Sequence, residues 1–230
     1  MLTEKDIIFE DNHIIIVQKQ ANIPVQGDES GDLSLFEMVQ EFIKHKYKKP
    51  GAVYLGLVHR LDRPVSGLMM FAKTSKAASR LSEMFREREI EKTYLALVGK
   101  RPQQLEATLK DYIWKDKAAN HAYCYSKAKN GSKLAELSYK VLQEVNQNIL
   151  LEVKPVTGRS HQIRAQLANM GCPIIGDAKY GSKLPMDEGE GICLVARRLK
   201  FIHPVKKQPI EIVSRTPEGR YWKKFNFQTI

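Results

Sequence analysis

Short apolar segments separated by polar turns predict that most of the chain forms β-strands. Residues 7–9 and 14–19 flank a predicted turn at Asp11-Asn12. The segment 105–155 alternates in the manner of antiparallel strands, most clearly at 135–141, with 149–153 as its predicted partner. The other predicted strands are at residues 53–58, 67–73, 93–98, 192–202 and 210–213.

Helical spacing of apolar residues is less frequent. It predicts helices at 33–47, at 76–88 with Ser75 as the cap, and at 160–170 with Ser160 as the cap. Thr216-Pro217 has the sequence of a further helix start. Many strands with a few interspersed helices, and no regular alternation of the two, predict the α+β class with a mixed, mainly antiparallel sheet and flanking helices.

The composition is that of a folded, basic protein. The chain has 230 residues, of which 43% are hydrophobic, enough to bury the core of one large domain or of two tightly joined halves. Its 37 Lys and Arg residues outnumber its 26 Asp and Glu residues, and the resulting charge of +11 attracts polyanions. Because basic proteins without nucleic-acid partners exist, the charge alone leaves RNA, DNA or neither as the partner.

Several classes of protein are disfavoured by what the sequence lacks. No apolar run approaches the roughly 20 residues that cross a bilayer, and the first residues do not resemble a signal peptide, so a cytoplasmic protein is expected. Cys124, Cys172 and Cys193 are widely spaced and odd in number, which predicts buried reduced thiols. The motifs of common kinases, dehydrogenases, metalloenzymes and serine hydrolases are missing.

One carboxylate lies among cations in the segment His-Arg-Leu-Asp-Arg-Pro at residues 59–64. Pro64 argues against a helix or a central strand, so a loop is predicted. Neighbouring cations keep Asp62 ionised, which suits a nucleophile better than a general acid. The alternative is an aspartate that pairs with Arg60 or Arg63 to fix a turn, and the local sequence leaves both open.

A second candidate site is the segment Thr-Gly-Arg-Ser-His-Gln-Ile-Arg at residues 157–164. His161 and Arg164 are three residues apart and share a face of the predicted helix. Because the first turn of a helix favours anions, Arg164 is expected there for a ligand or an ion pair. A plain salt bridge with a nearby carboxylate is the competing interpretation. Tyr94, taken alone, is typical of a core or interface tyrosine with a satisfied hydroxyl.

Taken together, these segments resemble the RluA-type RNA pseudouridine synthases, which modify ribosomal and transfer RNA. The resemblance runs from about Ile7 to His203-Pro204. The motifs that carry it, in the family's order, are His59-Arg60-Leu61-Asp62, Ser66-Gly67, Ala72-Lys73, Lys92-Thr93-Tyr94, Pro155, residues 158–164 and Gly176-Asp177-Lys179-Tyr180-Gly181. Several motifs in one order are far more specific than any one of them.

The resemblance implies a curved, mainly antiparallel sheet with the active site in a central cleft. It also implies that Asp62 is the essential carboxylate, that Arg164 pairs with it and holds it, and that Tyr94 lies against the target base. No metal or organic cofactor is expected. The expected partner is ribosomal or transfer RNA at a stem-loop, where extruding a base costs least. The expected RNA contacts beside the catalytic positions are His59, Arg60, Arg63, Arg159, His161 and Gln162.

Residues 1–230 are expected to form a single, monomeric catalytic domain without the separate N-terminal RNA-binding domain of many relatives. The chain departs from the family in three places: Lys19-Gln20-Ala21-Asn22 replaces Lys-Pro-x-Gly, Val65 replaces Thr, and Leu194-Val195-Ala196 replaces Leu-His-Ala. Two other functions are considered. One is a non-catalytic RNA-binding protein or RNA chaperone on the same scaffold, and the other is a metal-independent nuclease, for which paired acid and base groups are not visible.

Overall fold

The computed structural model describes residues 2–227. The chain divides into two compact units, Met1–Glu91 with Ala196–Arg215 and Lys92–Val195 with Thr216–Ile230. Strands, mostly in antiparallel pairs, and three α-helices make up the regular structure of the described residues. This confirms the α+β class with a mixed, mainly antiparallel sheet. The single catalytic domain stays a prediction. Within residues 2–227, no helix is both long enough and apolar enough to cross a membrane.

The first unit is a small sheet with two helices. Its elements are β1 (Ile7–Glu10), β2 (Ile14–Lys19), α1 (Leu35–Lys46), β3 (Gly56–Leu57), β4 (Ser66–Ala72), α2 (Ser75–Arg86), most of β10 (Leu194–Ile202) and β11 (Pro209–Val213). The strand order is β1-β2-β4-β10, with β3 also paired to β4 and β11 to β10. The strands predicted near Asp11-Asn12 are confirmed, with that turn between them.

Strands β2 and β4 are buried on both faces. Ile16 and Met70 pack in one cluster with Leu81 of α2. On the opposite face Phe71 contacts Phe36 of α1, with ring centroids 6.1 Å apart. Two-sided burial explains why both strands are near-continuous apolar runs in the sequence.

The strand predicted at 53–58 is much shorter in the structure. Only Gly56–Leu57 pairs with β4. Val53 and Leu55 are buried and Tyr54 is exposed. The alternation that predicted a strand therefore reflects burial against the core and not strand pairing.

The first two helices begin at side-chain caps. Ser34 and Glu37 form a reciprocal capping box at the start of α1, in which the Ser34 hydroxyl accepts from the Glu37 backbone and the Glu37 carboxylate accepts from the Ser34 backbone. In α2 the cap is Thr74, whose hydroxyl accepts the Ala77 N–H at 3.2 Å. The prediction of Ser75 was wrong by one position, because Thr74 is the last residue with extended backbone.

The other two predicted helix starts were also wrong. The third helix begins at Gln162, and the preceding residue, His161, has a left-handed backbone with φ of 54° and no side-chain cap bond. Ser160 therefore does not cap it. Thr216-Pro217 starts no helix, and the nearby element is a short 3-10 helix at Trp222–Lys224. A cap followed by proline gives a compatible backbone, but most helices also need an apolar face to pack.

The second unit is an antiparallel sheet with one helix. Its elements are β5 (Glu91–Val98), β6 (Glu106–Asp116), β7 (His121–Tyr125), β8 (Lys133–Val145), β9 (Asn148–Pro155) and α3 (Gln162–Asn169). The strand order is β5-β9-β8-β6-β7, which confirms the antiparallel middle region and the pairing of 135–141 with 149–153. Ala165 of α3 packs in one cluster with Ala122, Ala135 and Ile113 of the sheet. Small side chains on both sides bring the helix close to the strands.

Within residues 2–227 the three cysteines are free thiols, and the residue types that bind metal ions are not clustered. Cys172 and Cys193 are buried free thiols, as predicted, whereas Cys124 is free but only half-buried. Burial raises the pKa of Cys124 to about 12. Among residues 2–227, no three His, Cys, Asp or Glu side chains are grouped so that they could hold a metal ion.

Asp11 ties the β1–β2 turn to the segment after β10. Its carboxylate accepts the backbone N–H groups of His13 and Ile14 at 2.7 and 2.9 Å. It also lies 3.0 Å from Nε2 of the buried His203 and 2.9 Å from Nζ of Lys206. Burial alone would raise the pKa of Asp11, but these donors, Lys206 foremost, hold the pKa far below its ordinary value of 3.8.

We expect Asp11→Asn to lower the free energy of unfolding by about 2 kcal/mol at pH 7, because charge-assisted hydrogen bonds are lost. A depressed carboxylate pKa stabilises the fold fully above 3.8 and progressively less as the pH falls towards the folded-state pKa. The difference between wild type and variant, measured by urea denaturation, should therefore shrink below about pH 4. Asp187→Asn, at an exposed ion pair, is the control. A difference that stays constant from pH 7 to pH 3 would contradict this role.

Candidate active-site residues

Asp62 lies in the first unit, in the loop that joins β3 to β4. The Val65 N–H donates to the Asp62 carbonyl at 3.0 Å, which closes a turn with Arg63 and Pro64 at its centre. The loop predicted from Pro64 is thus confirmed. Asp62 is half-buried, so part of the residue is in reach of a ligand.

Gly67 fixes the point where this loop enters β4. Its φ is 114°, a conformation that residues with a side chain rarely adopt. A Cβ atom at Gly67 would lie 2.4 Å from the backbone oxygen of Ala196 in β10. The loop therefore ends in a close backbone contact that only glycine permits.

A buried lysine holds the backbone on both sides of the turn. Lys19 is fully buried at the end of β2, and its Nζ donates to the carbonyls of Gln20, Arg63 and Val65 at 3.0, 2.9 and 2.7 Å. Three acceptors match the three N–H groups of an ammonium ion. The pKa of Lys19 is lowered to about 7, mainly by burial and also by the charge of Arg63, whereas the charge of Asp62 opposes this change. Lys19 thereby anchors the Asp62 turn to the core sheet.

Asn22 shows how the chain tolerates its departure from Lys-Pro-x-Gly. Its φ is 66°, in the left-handed region that asparagine adopts more readily than most residues. Its N–H donates to the Arg63 carbonyl at 2.8 Å, and its own carbonyl accepts from Arg63 Nε at 3.1 Å. Asn22 therefore combines a left-handed backbone with two hydrogen bonds to Arg63.

The three basic residues near Asp62 in the sequence have different surroundings. Arg60 is exposed. His59 accepts the Met70 N–H on Nε2 at 3.0 Å and stacks on Phe85 at 4.7 Å, so its ring also supports the fold. The guanidinium of Arg63 contacts side chains of the loop before α1, namely Asp28, Ser30 and Asp32. Their contacts with RNA stay predictions.

Arg164 lies in the second unit, in the first turn of α3, and is only 5% exposed. Its Nε and Nη2 donate to the two carboxylate oxygens of Asp177 at 2.7 and 2.9 Å. Two parallel bonds of this kind fix the plane of the guanidinium. A salt bridge with a nearby carboxylate, one of the two interpretations of the sequence, is thus present. The pairing with Asp62 stays a prediction.

Tyr180 contacts two side chains of the segment 157–164, which leads into α3 and is called the α3 motif. Its hydroxyl lies 2.8 Å from His161 Nδ1 and accepts the Ala122 N–H at 2.9 Å. The guanidinium carbon of Arg164 lies 5.0 Å from the centre of its ring, at cation–π distance. His161 precedes the first residue of α3, so the two residues do not share a helix face as their spacing predicted, but both contact Tyr180.

The loop before α3 is held by the amide of Gln162. Its Oε1 accepts from the Thr157 hydroxyl at 2.7 Å and from the Arg159 N–H at 2.9 Å, and its Nε2 donates to the Glu136 carbonyl at 3.0 Å. Gln162 is 4% exposed, so its amide supports the loop. Arg159 is half-buried and donates to the Leu134 carbonyl at 2.9 Å. The RNA contacts of His161, Gln162 and Arg159 stay predictions.

Tyr94 lies in β5, paired with Val153 of β9. Val153 in turn pairs with Tyr139 of β8, so these side chains point to one face of the sheet. Tyr94 is half-buried, whereas Thr93 and Leu95 on either side are buried. A half-buried position is compatible with the core or interface tyrosine that the strand pattern alone favoured, and its contact with the target base stays a prediction.

Lys19, Asp177 and Tyr180 are the residues to which the sequence analysis assigned no role. Lys19 belongs to a segment noted only as a departure, and the other two belong to the motif at 176–181. A buried lysine at a strand end and a buried carboxylate 13 residues after an arginine carry no distinctive local pattern. The motif was the only signal available in the sequence.

Comparison with known proteins identifies the family of this chain. Residues 13–169 match the model of a family described as RNA pseudouridylate synthase. A ribosomal large subunit pseudouridine synthase C of Rickettsia typhi is 34% identical over 212 residues, covering 92% of this chain and 68% of that protein. A tRNA pseudouridine synthase C of Vibrio cholerae is 31% identical over 224 residues, covering 90% of this chain and 89% of that protein.

Solved structures share the fold. The human RNA pseudouridylate synthase domain containing 4 protein superposes with a TM-score of 0.78 at 23% identity, covering 96% of this chain and 91% of that one. The human RNA pseudouridylate synthase domain containing 1 protein superposes with a TM-score of 0.70 at 24% identity, covering 93% and 83%. Both support the assignment of the fold.

Proposed function

The chain belongs to the RNA pseudouridylate synthase family and is a pseudouridine synthase, and on that premise we propose that it converts a specific uridine of ribosomal or transfer RNA to pseudouridine with Asp62 as the reacting carboxylate and without a cofactor. The observation that carries the proposal is the Asp62 turn. Its carbonyls at Arg63 and Val65 are held by the buried Lys19, while Asp62 itself is only half-buried. A backbone fixed by buried hydrogen bonds, at a residue that is not fully buried, is the arrangement that a reacting group needs.

The reaction has three parts. The bond between N1 of uracil and the ribose breaks, the uracil turns, and a new bond forms from C5 to the ribose with loss of the C5 proton. Asp62 acts at the first part, either by attack or by removing a proton at the sugar, and both begin with an ionised carboxylate. Lys19 is the buried cation whose charge attracts Asp62 in this unit.

Arg164 and Tyr94 have distinct proposed roles. Arg164 holds the reacting carboxylate, and Asp177 keeps the guanidinium in one orientation through Nε and Nη2. Tyr94 lies against the uracil and carries a proton when C5 loses its hydrogen. A stem-loop target, a monomeric enzyme and a cytoplasmic site of action belong to the same proposal.

The proposal is tested by mapping pseudouridines in ribosomal and transfer RNA of a strain that lacks this gene and of its parent. We expect one or a few sites to disappear and to return with a plasmid that expresses the wild-type chain. The plasmid with Asp62→Asn should not restore them. Identical maps in both strains would contradict the proposal, and RNA binding without any lost site would favour the non-catalytic RNA-binding protein.

Tyr94→Phe is expected to lower the rate of pseudouridine formation by about 10²- to 10⁴-fold, the usual contribution of a positioned proton donor or acceptor. The ring is kept, so the dissociation constant for RNA should change by less than about threefold. Single-turnover rates and filter binding measure the two effects separately. Tyr54→Phe, at an exposed tyrosine, is the matched control. An unchanged single-turnover rate in Tyr94→Phe would show that the Tyr94 hydroxyl takes no part in the reaction.

A further inference from the structure

The sheet of the second unit has a second face, which the proposed chemistry does not use. Tyr94 and the residues in register with it, Val153 and Tyr139, point to the same face as Ile113, which packs with α3. Side chains alternate between faces along a strand, so Trp114 points to the opposite face. We call this opposite face of β6, β7 and β8 the outer face.

Aromatic side chains are concentrated on the outer face. Trp114 pairs with Tyr123 across β6 and β7, and Tyr112 pairs with Tyr125 two residues further along. The Trp114 and Tyr123 ring centres are 5.9 Å apart with an angle of 30° between the planes. Trp114, Tyr123 and Leu134 are 37%, 40% and 43% exposed. The face therefore presents two aromatic pairs, one of them partly exposed to solvent.

Lysines lie in the turns on either side of β7. Lys117 is in the β6–β7 turn, and Lys127 and Lys129 are in the β7–β8 loop. Lys115 and Lys133 are in register with Ala122 and Ile113, so they point to the face that carries α3. Lys129 Nζ lies 3.7 Å from the centre of the Tyr125 ring. The β7–β8 loop also approaches the indole, since a Cβ atom at Gly131 would lie 3.5 Å from Trp114. Positive charge and exposed rings thus occupy one surface.

We propose that the outer face is an accessory RNA-binding surface, which stacks unpaired bases of the substrate RNA on Trp114 and Tyr123 while the lysines of the β7–β8 loop contact phosphates. Aromatic rings on a sheet face bind single-stranded bases without requiring a particular sequence. Lysine is depleted in protein–protein interfaces, and the turns at residues 117–120 and 126–132 contain three lysines and no acidic residue, which favours a polyanion as the occupant. The occupant is RNA because of the proposed function, on which this inference rests.

A basic edge connects the outer face to the face that carries α3. β7 is the last strand in the order, and the β6–β7 turn lies beside the α3 motif. Lys115 Nζ is 3.3 Å from His161 Nε2, and Lys179 Nζ donates to the Asn120 carbonyl at 3.3 Å. An RNA strand that leaves the α3 face can therefore follow positive charge around β7 to Trp114.

The test compares two synthetic RNAs that carry the mapped uridine, a minimal stem-loop and the same stem-loop with a single-stranded extension. Wild type should bind the extended RNA more tightly. The double variant Trp114→Ala/Tyr123→Ala should lose about 10- to 100-fold of its affinity for the extended RNA, the effect of losing one or two stacked bases. Its affinity and turnover on the minimal stem-loop should match wild type.

Two further variants separate stacking from folding and from charge. Trp114→Phe/Tyr123→Phe keeps flat rings and should retain most of the affinity for the extension. Lys127→Ala/Lys129→Ala should make the slope of log affinity against log salt shallower by about 1.4, for two phosphate contacts with single-stranded RNA. The minimal stem-loop should show the same slope for both proteins.

Two results would overturn the inference: equal wild-type affinity for the two RNAs, or an unchanged affinity of the double alanine variant for the extended one. A protein-binding face would give the second result. An equal loss on both RNAs that the phenylalanine variant shares would indicate a folding defect, and it also overturns the inference. Failure of the proposed function has another signature, in which the wild type prefers the extended RNA but forms no pseudouridine.

Discussion

Asp62→Asn is expected to lower pseudouridine formation by about 10⁴-fold or more, the loss typical of a removed nucleophile. Asparagine has the same shape, and three bonds that hold the turn involve backbone groups, namely the Val65 N–H and the two carbonyls bound by Lys19. The fold should therefore survive, and RNA affinity should stay within about tenfold of wild type. Single-turnover assays and filter binding on the same RNA provide both numbers.

Asp187→Asn is the control for this substitution, because it makes the same chemical change at an exposed ion pair in the other unit. It should leave rate and affinity unchanged. If Asp62→Asn turned over near the wild-type rate, Asp62 would be excluded as the nucleophile. A joint loss of RNA affinity and of stability would instead favour the interpretation that Asp62 fixes the turn by pairing with a neighbouring arginine.

Arg164→Met and Asp177→Asn should have different consequences for catalysis. Both break a buried ion pair, so each should lower the free energy of unfolding by about 3 kcal/mol or more. Arg164→Met also removes the cation proposed to hold the reacting carboxylate, and its single-turnover rate should fall by about 10³-fold. Asp177→Asn keeps that cation and keeps a hydrogen-bond acceptor, so its rate should fall by only about tenfold.

The comparison separates a catalytic arginine from a structural one. If Arg164 served only to pair with Asp177, the two variants would lose stability and rate to the same extent. Equal rates for the two, measured below the melting temperature of both, would therefore contradict the proposed role. The double variant is informative as well, because it should be more stable than the sum of the single changes predicts if the pair is coupled.

The elements were predictable where one physical cause dominates the sequence. Two-sided burial made β2 and β4 continuous apolar runs, and Pro64 marked the Asp62 loop. The segment at 53–58 was misread because burial alternates there without a pairing partner. The start of α3 was misread because its loop is held by the Gln162 amide, a contact between distant residues that no local pattern reveals.

The candidate site was predictable only in part. The family resemblance pointed to Asp62, Tyr94 and Arg164, but local chemistry alone left a structural alternative for each. The partners of Arg164 and of the Asp62 turn come from elsewhere in the chain. Asp177 follows Arg164 by 13 residues, and Lys19 precedes Val65 by 46. Such contacts are set by the path of the backbone, so they become visible only in the folded protein.

The central claim is that this chain forms pseudouridine in RNA through Asp62, and tritium release tests it most directly. Ribosomal and transfer RNA from a strain lacking the gene, labelled at C5 of uridine, is incubated with purified protein. Isomerisation replaces the C5 hydrogen with the bond to ribose, so each modified uridine releases one tritium. The amount released by wild type should level off at a whole number of tritium atoms per RNA molecule. Asp62→Asn should release none above background. Absence of release by folded wild-type protein from both RNAs, or equal release by the variant, would contradict the claim.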